Sequence, residues 1–340
     1  MRCLIVHHDT LGLRHDARIL MQAIHRIRPG SQVHHLVLYG RMVIDYTTPL
    51  EISEEIKAAA PFDLTFLLEH AHPNDPILAP GFSKEIIYVP NIEWMNDLDE
   101  NVLMSGAAGK VLLKNRYSFD VFSSLPLASR TGEIAFVGWT SDDPLRGSQA
   151  ADKDFESFLH VKGISWQKQT DVVMETWAAN PRFPPLTVVM RFERGFGLSG
   201  TMTYGKNVKV IMREIPLAEL RSLQNAAGVH VNPSAAEGFG HSLNEARGSG
   251  SVLITTNAPP MNELVRHGEN GLLAEAAPEL ATPMKKSRFY PVTVEALTTA
   301  VSKVLSMPLS LRREMGQAAR ASFLRDKQHF HERLAEVILR

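Results

Sequence analysis

The sequence predicts an α/β protein of two similar-sized domains, each with a parallel sheet covered by helices, and an active site in the cleft between them. Three observations lead there. At 340 residues the chain can bury two cores of ordinary size. Short, nearly continuous apolar runs alternate with helical periodicities, the pattern of strands covered on both faces. Between two such series lies Trp139 to Lys153, rich in Ser, Asp, Gly, Pro and Gln, which reads as a linker. The expected domains are 1–150 and 151–315, followed by a terminal helix over 316–340.

In the first domain Cys3–Val6 opens as a strand. After the polar turn His7–Thr10 and Gly12, Ala17, Leu20, Ile24 and Ile27 fall on one helical face, which Pro29–Gly30 ends. Val33–Leu38, Asp63–Leu68, Glu85–Val89, Val111–Leu113 and Ile134–Val137 are the further strands, with a helix around Tyr117–Phe122. The second series runs Phe158–Val161, Leu186–Met190, Val208–Met212, Val229–Val231 and Val252–Ile254. Its helices are expected at Gln169–Ala179, Leu217–Ala227 and Ser242–Arg247. From Val294 onward two helical patterns are broken at Pro308. In open α/β sheets, ligands bind beyond the carboxyl ends of strands.

Composition narrows the classes. Hydrophobic residues make up 44% and charged residues 21%, a globular balance, and the formal charge of −1 supplies no gross attraction for nucleic acid or an anionic membrane. Cys3 is the single cysteine, so neither an intrachain disulfide nor a multi-cysteine metal site can form. No leader peptide and no apolar run long enough to span a bilayer is found, which makes a cytoplasmic location the default, with peripheral membrane attachment open.

The richest segment is Gly228-Val-His-Val-Asn-Pro-Ser-Ala-Ala-Glu237-Gly238-Phe239-Gly240-His241-Ser242-Leu243-Asn-Glu245. A strand ends near Val231, a loop carries Glu237, Gly238 and Gly240, and a helix begins near Ser242. The glycines allow close backbone approach to a ligand, and the helix start offers N–H groups to phosphate oxygens. Glu245 can accept hydrogen bonds from paired hydroxyls such as a ribose, and Glu237 can meet sugar hydroxyls or positive charge.

This segment resembles the GT-B glycosyltransferases, in particular the retaining class (glycosyltransferase family 4-like, glycosyl transferases group 1) with Glu, seven residues, then Glu. The match continues through Gly250, Val252–Ile254, Glu263 and Gly268-Glu-Asn-Gly271-Leu-Leu, covering roughly Ala226 to Leu273. It implies a GT-B fold, two Rossmann-like domains facing across a cleft, and a terminal helix that crosses back to the N-terminal, acceptor-side domain while the two domains close over the donor. It also implies a hexosyl- or pentosyltransferase that moves sugar from a UDP-, GDP- or other nucleotide-sugar co-substrate with retention, needing no metal and no cofactor. Glu245 would bind the donor ribose and Glu237 would face the transferred sugar. Backbone from Phe239 to Leu243 would hold sugar hydroxyls and diphosphate. His241 would be either a sugar-facing wall or a solvated helix-start residue.

Further site residues follow from the resemblance. Leaving-group departure puts negative charge on the diphosphate, so a cation is expected nearby. His160-Val-Lys162-Gly-Ile164-Ser165-Trp-Gln-Lys168 lies between a strand and a helix, and Lys168 matches the family's lysine. Ile164 stands where the family commonly has Arg; Lys162, Arg191 or Arg194 are the candidates to supply that charge. Gly12 resembles part of the glycine loop after the first strand, where relatives often carry two glycines. His70 sits where the class often places a histidine against the sugar, with His72 competing for the role. Asn91, Glu93 and Trp94 suit an acceptor surface or a buried domain seam equally.

The acceptor stays open among a glycan, a lipid-linked sugar, a protein, a small molecule or a nucleic-acid base. Rival readings are a nucleotide-sugar epimerase on the same plan, and a non-catalytic nucleotide-binding or scaffold protein. A sugar phosphorylase is disfavoured by chain length, and a dinucleotide oxidoreductase by the lack of Gly-x-Gly-x-x-Gly in the first βα turn.

Overall fold

The computed structural model describes residues 1–38, 50–125, 132–146, 153–163, 165–191, 200–281 and 288–340. They divide between two compact units, one of 1–140 with 327–340, the other of 141–281 with 288–326.

The first unit runs β1 (Arg2–His8), α1 (Leu11–Ile27), β2 (Gln32–Leu38), α2 (Glu54–Ala59), β3 (Phe62–Leu68), β4 (Ser83–Val89), α3 (Asp97–Met104), β5 (Lys110–Leu113), α4 (Arg116–Ser124) and β6 (Glu133–Phe136). Its sheet has the order β2-β1-β3-β4-β5-β6 with parallel pairings throughout. Leu4, Val6, Phe62, Tyr88, Val111 and Phe122 form its core. Coverage on both faces removes any need for polar alternation, which is why the apolar runs betrayed these strands. Thr10 caps α1, its hydroxyl accepting the Leu13 N–H, and Ala17, Leu20 and Ile24 are buried as the periodicity requires. Gly12 therefore sits inside the first helical turn and not in a loop. A Cβ there would meet nothing within 4 Å, so neither conformation nor packing demands a glycine at that position.

The second unit contains β7 (Asp154–Gly163), α5 (Thr170–Ala179), β8 (Leu186–Met190), β9 (Gly200–Tyr204), β10 (Val208–Met212), α6 (Leu217–Ala226), β11 (Ala227–Asn232), α7 (His241–Gly248), β12 (Val252–Thr256), β13 (Leu272–Ala274), α8 (Val294–Ser306) and the start of α9 (Leu309–Leu339). The strand order is β13-β12-β11-β7-β8-β10-β9. Only the edge pair β10–β9 is antiparallel among these strands, a departure from the all-parallel pattern the apolar runs suggest. At Gly228 a Cβ would lie 2.3 Å from the Phe155 Cα, so β11 can lie against β7 only with glycine at this position.

Two arginines fasten α7 within this unit. Arg247, fully buried, ion-pairs with Asp326 and donates to Ser322 Oγ (3.0 Å) and Asn244 Oδ1 (2.8 Å). Arg320 forks onto Asp143 (2.6 and 2.7 Å) and donates to the Gly248 carbonyl at the end of α7. Such bidentate pairs fix geometry as well as charge.

Helix α9 is unbroken, its residues through Asp326 belonging to the second unit and those from Lys327 to the first. In the first unit Phe330 is fully buried, its ring centroid 4.9 Å from that of Trp139. Trp139, read from composition as linker, is itself 2% exposed and donates its indole N–H to Asp16 Oδ1 at 2.6 Å. The rest of that stretch is divided: residues 147–152 lie outside the described residues, and Lys153 is inside the second unit.

Candidate active site

In the second unit two loops at the carboxyl edge of the sheet are tied side by side. After β7, Ser165 leads into a single helical turn, Trp166–Lys168, and Gln169 in the left-handed region (φ 49°) redirects the chain into α5. After β11 the loop 233–240 leads to α7. His160, buried in β7, donates from Nδ1 to the Val231 carbonyl (2.7 Å) and accepts at Nε2 from the Thr170 hydroxyl (2.8 Å). The Ala235 N–H donates to the Gln167 carbonyl (2.8 Å), and the Gln169 amide donates to the Pro233 carbonyl while accepting from the Val292 N–H (3.1 Å).

The result is a meeting of Lys168 and Glu237. The Lys168 ammonium ion-pairs with the Glu237 carboxylate and donates to Ser242 Oγ at 3.1 Å, both charged side chains being only 13% and 11% exposed. Gly240 is the N-cap of α7 at φ 83°, a backbone conformation that favours glycine, and a Cβ on it would press on the Leu243 side chain, 2.7 Å from Cδ1. Gly240 supplies no side-chain cap to this helix start. Its first-turn N–H groups and the positive end of the helix dipole stand next to Lys168, an arrangement suited to an anion.

Glu245 is more engaged than the motif suggests. It is 7% exposed, accepts from the Gln224 amide at 2.8 Å, and has the Arg221 guanidinium 3.1 Å from its other oxygen. Arg221 also donates to Gln224 Oε1 (2.7 Å), so two residues one turn apart on α6 hold the carboxylate. The end of α6 is held in turn by Lys153, whose ammonium donates to the Asn225 and Ala227 carbonyls and to Ser251 Oγ; burial pulls its pKa down to about 8. His241 is bonded to Ser141 Oγ (2.8 Å), its ring edge-on to Phe239.

Of the candidates for the missing arginine's charge, Arg191 is paired with Glu214 (3.1 Å) and Lys162 is half-buried at the end of β7. Arg194 and Ile164 lie outside the described residues. Ser165 is half-buried in front of the Lys168 turn. Trp166, which motif reasoning does not single out, is 63% exposed and edge-on to Phe289 at 4.8 Å. Among the described residues no cluster of three or more His, Cys, Asp or Glu side chains converges on a metal position.

The first unit gathers the remaining candidates at the carboxyl edge of its own sheet. Glu69 takes a positive φ of 75°, uncommon for a residue with a side chain and a mark of a constrained position. Burial pushes its carboxyl pKa up, against the pull of His70, Asn91 and Lys114. Asn91 is no open surface residue: its amide donates to Glu69 Oε1 (2.9 Å) and accepts from Lys114 Nζ (2.8 Å). Glu93 is buried and Trp94 half-buried. His70 is buried with Nδ1 donating to Asp99 Oδ2 at 3.0 Å, whereas the rival His72 accepts the Asn74 N–H in its own turn.

His160 and His230 make the second unit acid-sensitive. Burial lowers their pKa values from 6.5 to about 4 and about 3. Because the folded values lie below the unfolded one, the unfolded chain gains protons first as pH falls. Stability is therefore full above pH 6.5 and is lost toward pH 4, by roughly 3 kcal/mol or more per histidine. The melting temperature should drop steeply across this window, and His230→Gln should flatten the slope. An equal slope in the variant would remove His230 from the account.

Two Rossmann-like units, the second with an uncapped helix start beside a lysine–glutamate pair, define the GT-B class. The chain belongs to the glycosyl transferases group 1 family, whose model matches residues 141–322, just over half its length. No curated protein sequence matches it. Among solved structures it is similar to a glycosyltransferase from Rickettsia africae (TM-score 0.70, 11% identity, covering 99% of this chain and 97% of that one). HepE from Anabaena, solved with UDP and glucose, aligns at TM-score 0.66 and 15% identity over 99% of both chains. Sucrose-phosphate synthase from Thermosynechococcus elongatus aligns at 0.65 and 15%, over 99% and 98%. No helix among the described residues is long and apolar enough to cross a membrane.

Proposed function

We propose that the second unit binds a nucleoside diphosphate sugar and that the protein transfers the sugar to an acceptor with retention, using neither metal nor cofactor. One observation carries this reading: the Lys168 ammonium, Glu237 and Ser242 converge at the uncapped start of α7. As the glycosidic bond to the diphosphate breaks, negative charge grows on the departing oxygen. Lys168 and the first-turn N–H groups stabilise it without reorganising, the condition under which electrostatic stabilisation is most effective. Glu237, held against Lys168, supplies a carboxylate for sugar hydroxyls and for positive charge developing at the anomeric carbon. Retention rests on the Glu237–Glu245 spacing shared with the retaining class. His70 of the first unit is assigned to a sugar hydroxyl.

Glu245 is assigned to the donor ribose. A carboxylate has about four lone-pair directions, so two ribose hydroxyls can join or replace the contacts from Gln224 and Arg221. HepE was solved with UDP-glucose, which makes UDP the first probe. Calorimetry in the presence of a chelator should give UDP or GDP binding undiminished from that with manganese. Glu245→Ala should weaken it by about 1–3 kcal/mol, the loss of hydrogen bonds to a charged acceptor. Binding abolished by chelator and restored by manganese would overturn the metal-free reading, and an unchanged affinity in folded Glu245→Ala the ribose assignment.

A further inference from the structure

His70 presents an unusual half-satisfied imidazole. Its Nδ1 is 3.0 Å from Asp99 Oδ2, and that carboxylate is itself immobilised, accepting the Ala71 N–H on Oδ1 (2.8 Å) and the Asn96 N–H on Oδ2 (2.9 Å). Asp99 is completely buried at the start of α3, where it forms a capping box with Asn96. The other nitrogen, Nε2, is buried and has no hydrogen-bond partner among the described residues; the nearest carboxylate oxygen, Glu69 Oε2, is 3.8 Å away. A buried ring nitrogen without a partner is an unfavourable state that a ligand hydroxyl would relieve.

We propose that Asp99 is a positioning residue for His70: it accepts the hydrogen bond from Nδ1–H, fixes the ring, and so leaves the Nε2 lone pair of the neutral imidazole as acceptor for a sugar hydroxyl. The hydrogen bond to one imidazole nitrogen decides which tautomer is present, and a carboxylate can only accept. This role rests on the sugar-facing reading of His70 given above. The groups facing the ring are Asp99 from α3, Glu69 beside it after β3, and His8 from the end of β1, edge-on at 5.6 Å. Burial works against protonation, but the hydrogen bond and charge of Asp99, with the charge of Glu69, outweigh it and raise the His70 pKa.

The test is nitrogen NMR on the full chain with labelled histidine, His70 being assigned by its absence in His70→Gln. In wild type, at a pH above the His70 titration, the proton should reside on Nδ1 and Nε2 should give the shift of a bare nitrogen. In Asp99→Asn the titration should move to lower pH and the Nδ1–H preference should fall; Asp99→Glu should restore part of both. A purely helix-capping role for Asp99 would change melting temperature but neither signal. A wild-type proton found on Nε2 overturns the proposal, even if no variant folds, and so does an unmoved His70 titration in folded Asp99→Asn. The signals require no donor, so failure of nucleotide binding would count against the proposed function and leave this result standing.

Discussion

Replacing Lys168 with alanine is expected to reduce sugar transfer by about two to three orders of magnitude, or roughly 3–4 kcal/mol of transition-state stabilisation. The ammonium touches both Glu237 and Ser242 at the start of α7. Its loss removes the side-chain cation that the structure brings to this pair. It also leaves the Glu237 carboxylate, 11% exposed, without the ammonium that holds it in place for the transferred sugar. Both consequences act where charge develops, so turnover should fall more than ground-state nucleotide affinity. Release of nucleoside diphosphate under saturating donor measures this. A folded Lys168→Ala variant within threefold of wild-type turnover would exclude Lys168 from leaving-group stabilisation.

The largest effect on stability is expected at Lys114→Ala, about 3–5 kcal/mol, the range for breaking a buried ion pair from one side. Lys114 is 1% exposed on its side chain and donates to Asp16 Oδ2 (2.6 Å) and Asn91 Oδ1 (2.8 Å), with the Trp139 ring centroid 5.0 Å away. Truncation takes the Lys114 ammonium away from Asp16, 4% exposed, and leaves the neutral Trp139 indole as a donor to that carboxylate. Lys114→Met should be milder than alanine because it keeps the buried stem, though it too removes the ammonium from Asp16. Denaturant unfolding, followed with probes in each unit because two units need not unfold as one, provides the measurement. A loss below 1 kcal/mol in the first unit would show that Asp16 is neutralised in some other way.

These two lysines mark the limit of what pattern reading reaches. Strands such as Leu186–Met190 and Val208–Met212 were legible to the residue because a β-branched run covered on both faces has no other simple explanation. Lys168, Glu237 and Gly240 were legible as members of a motif. Their contact was not, since the two charged residues are 69 positions apart and ties such as those through Gln167, Gln169 and Ala235 bring their loops together. Lys114 and Asp16 are 98 apart, and hydrophobic periodicity assigns charged residues to solvent by default, so their burial was invisible. The partners of Glu245 had a signature, Arg221 and Gln224 at one-turn spacing on a helix, but nothing in the sequence says which carboxylate that face meets. Asn96 followed three residues later by Asp99 is a recognisable helix start; its second task, holding His70, required three dimensions.

The helix that ends the chain has a consequence for how the protein is made. Residues 327–340 are counted in the first unit, and Phe330, Leu334 and Val337 are buried there, with the Val337 carbonyl accepting from Lys110 at 3.4 Å. During synthesis, β1 to β6 emerge from the ribosome long before these residues do. Trp139 has its indole N–H partner in Asp16 at that stage but not the Phe330 ring that covers it. The amino-terminal sheet must therefore wait, with an apolar flank uncovered, while the entire second unit is translated. The order in which the two units are completed is the reverse of the order in which their strands are made, and a nascent chain stalled anywhere before Phe330 carries an unfinished first core into the cell.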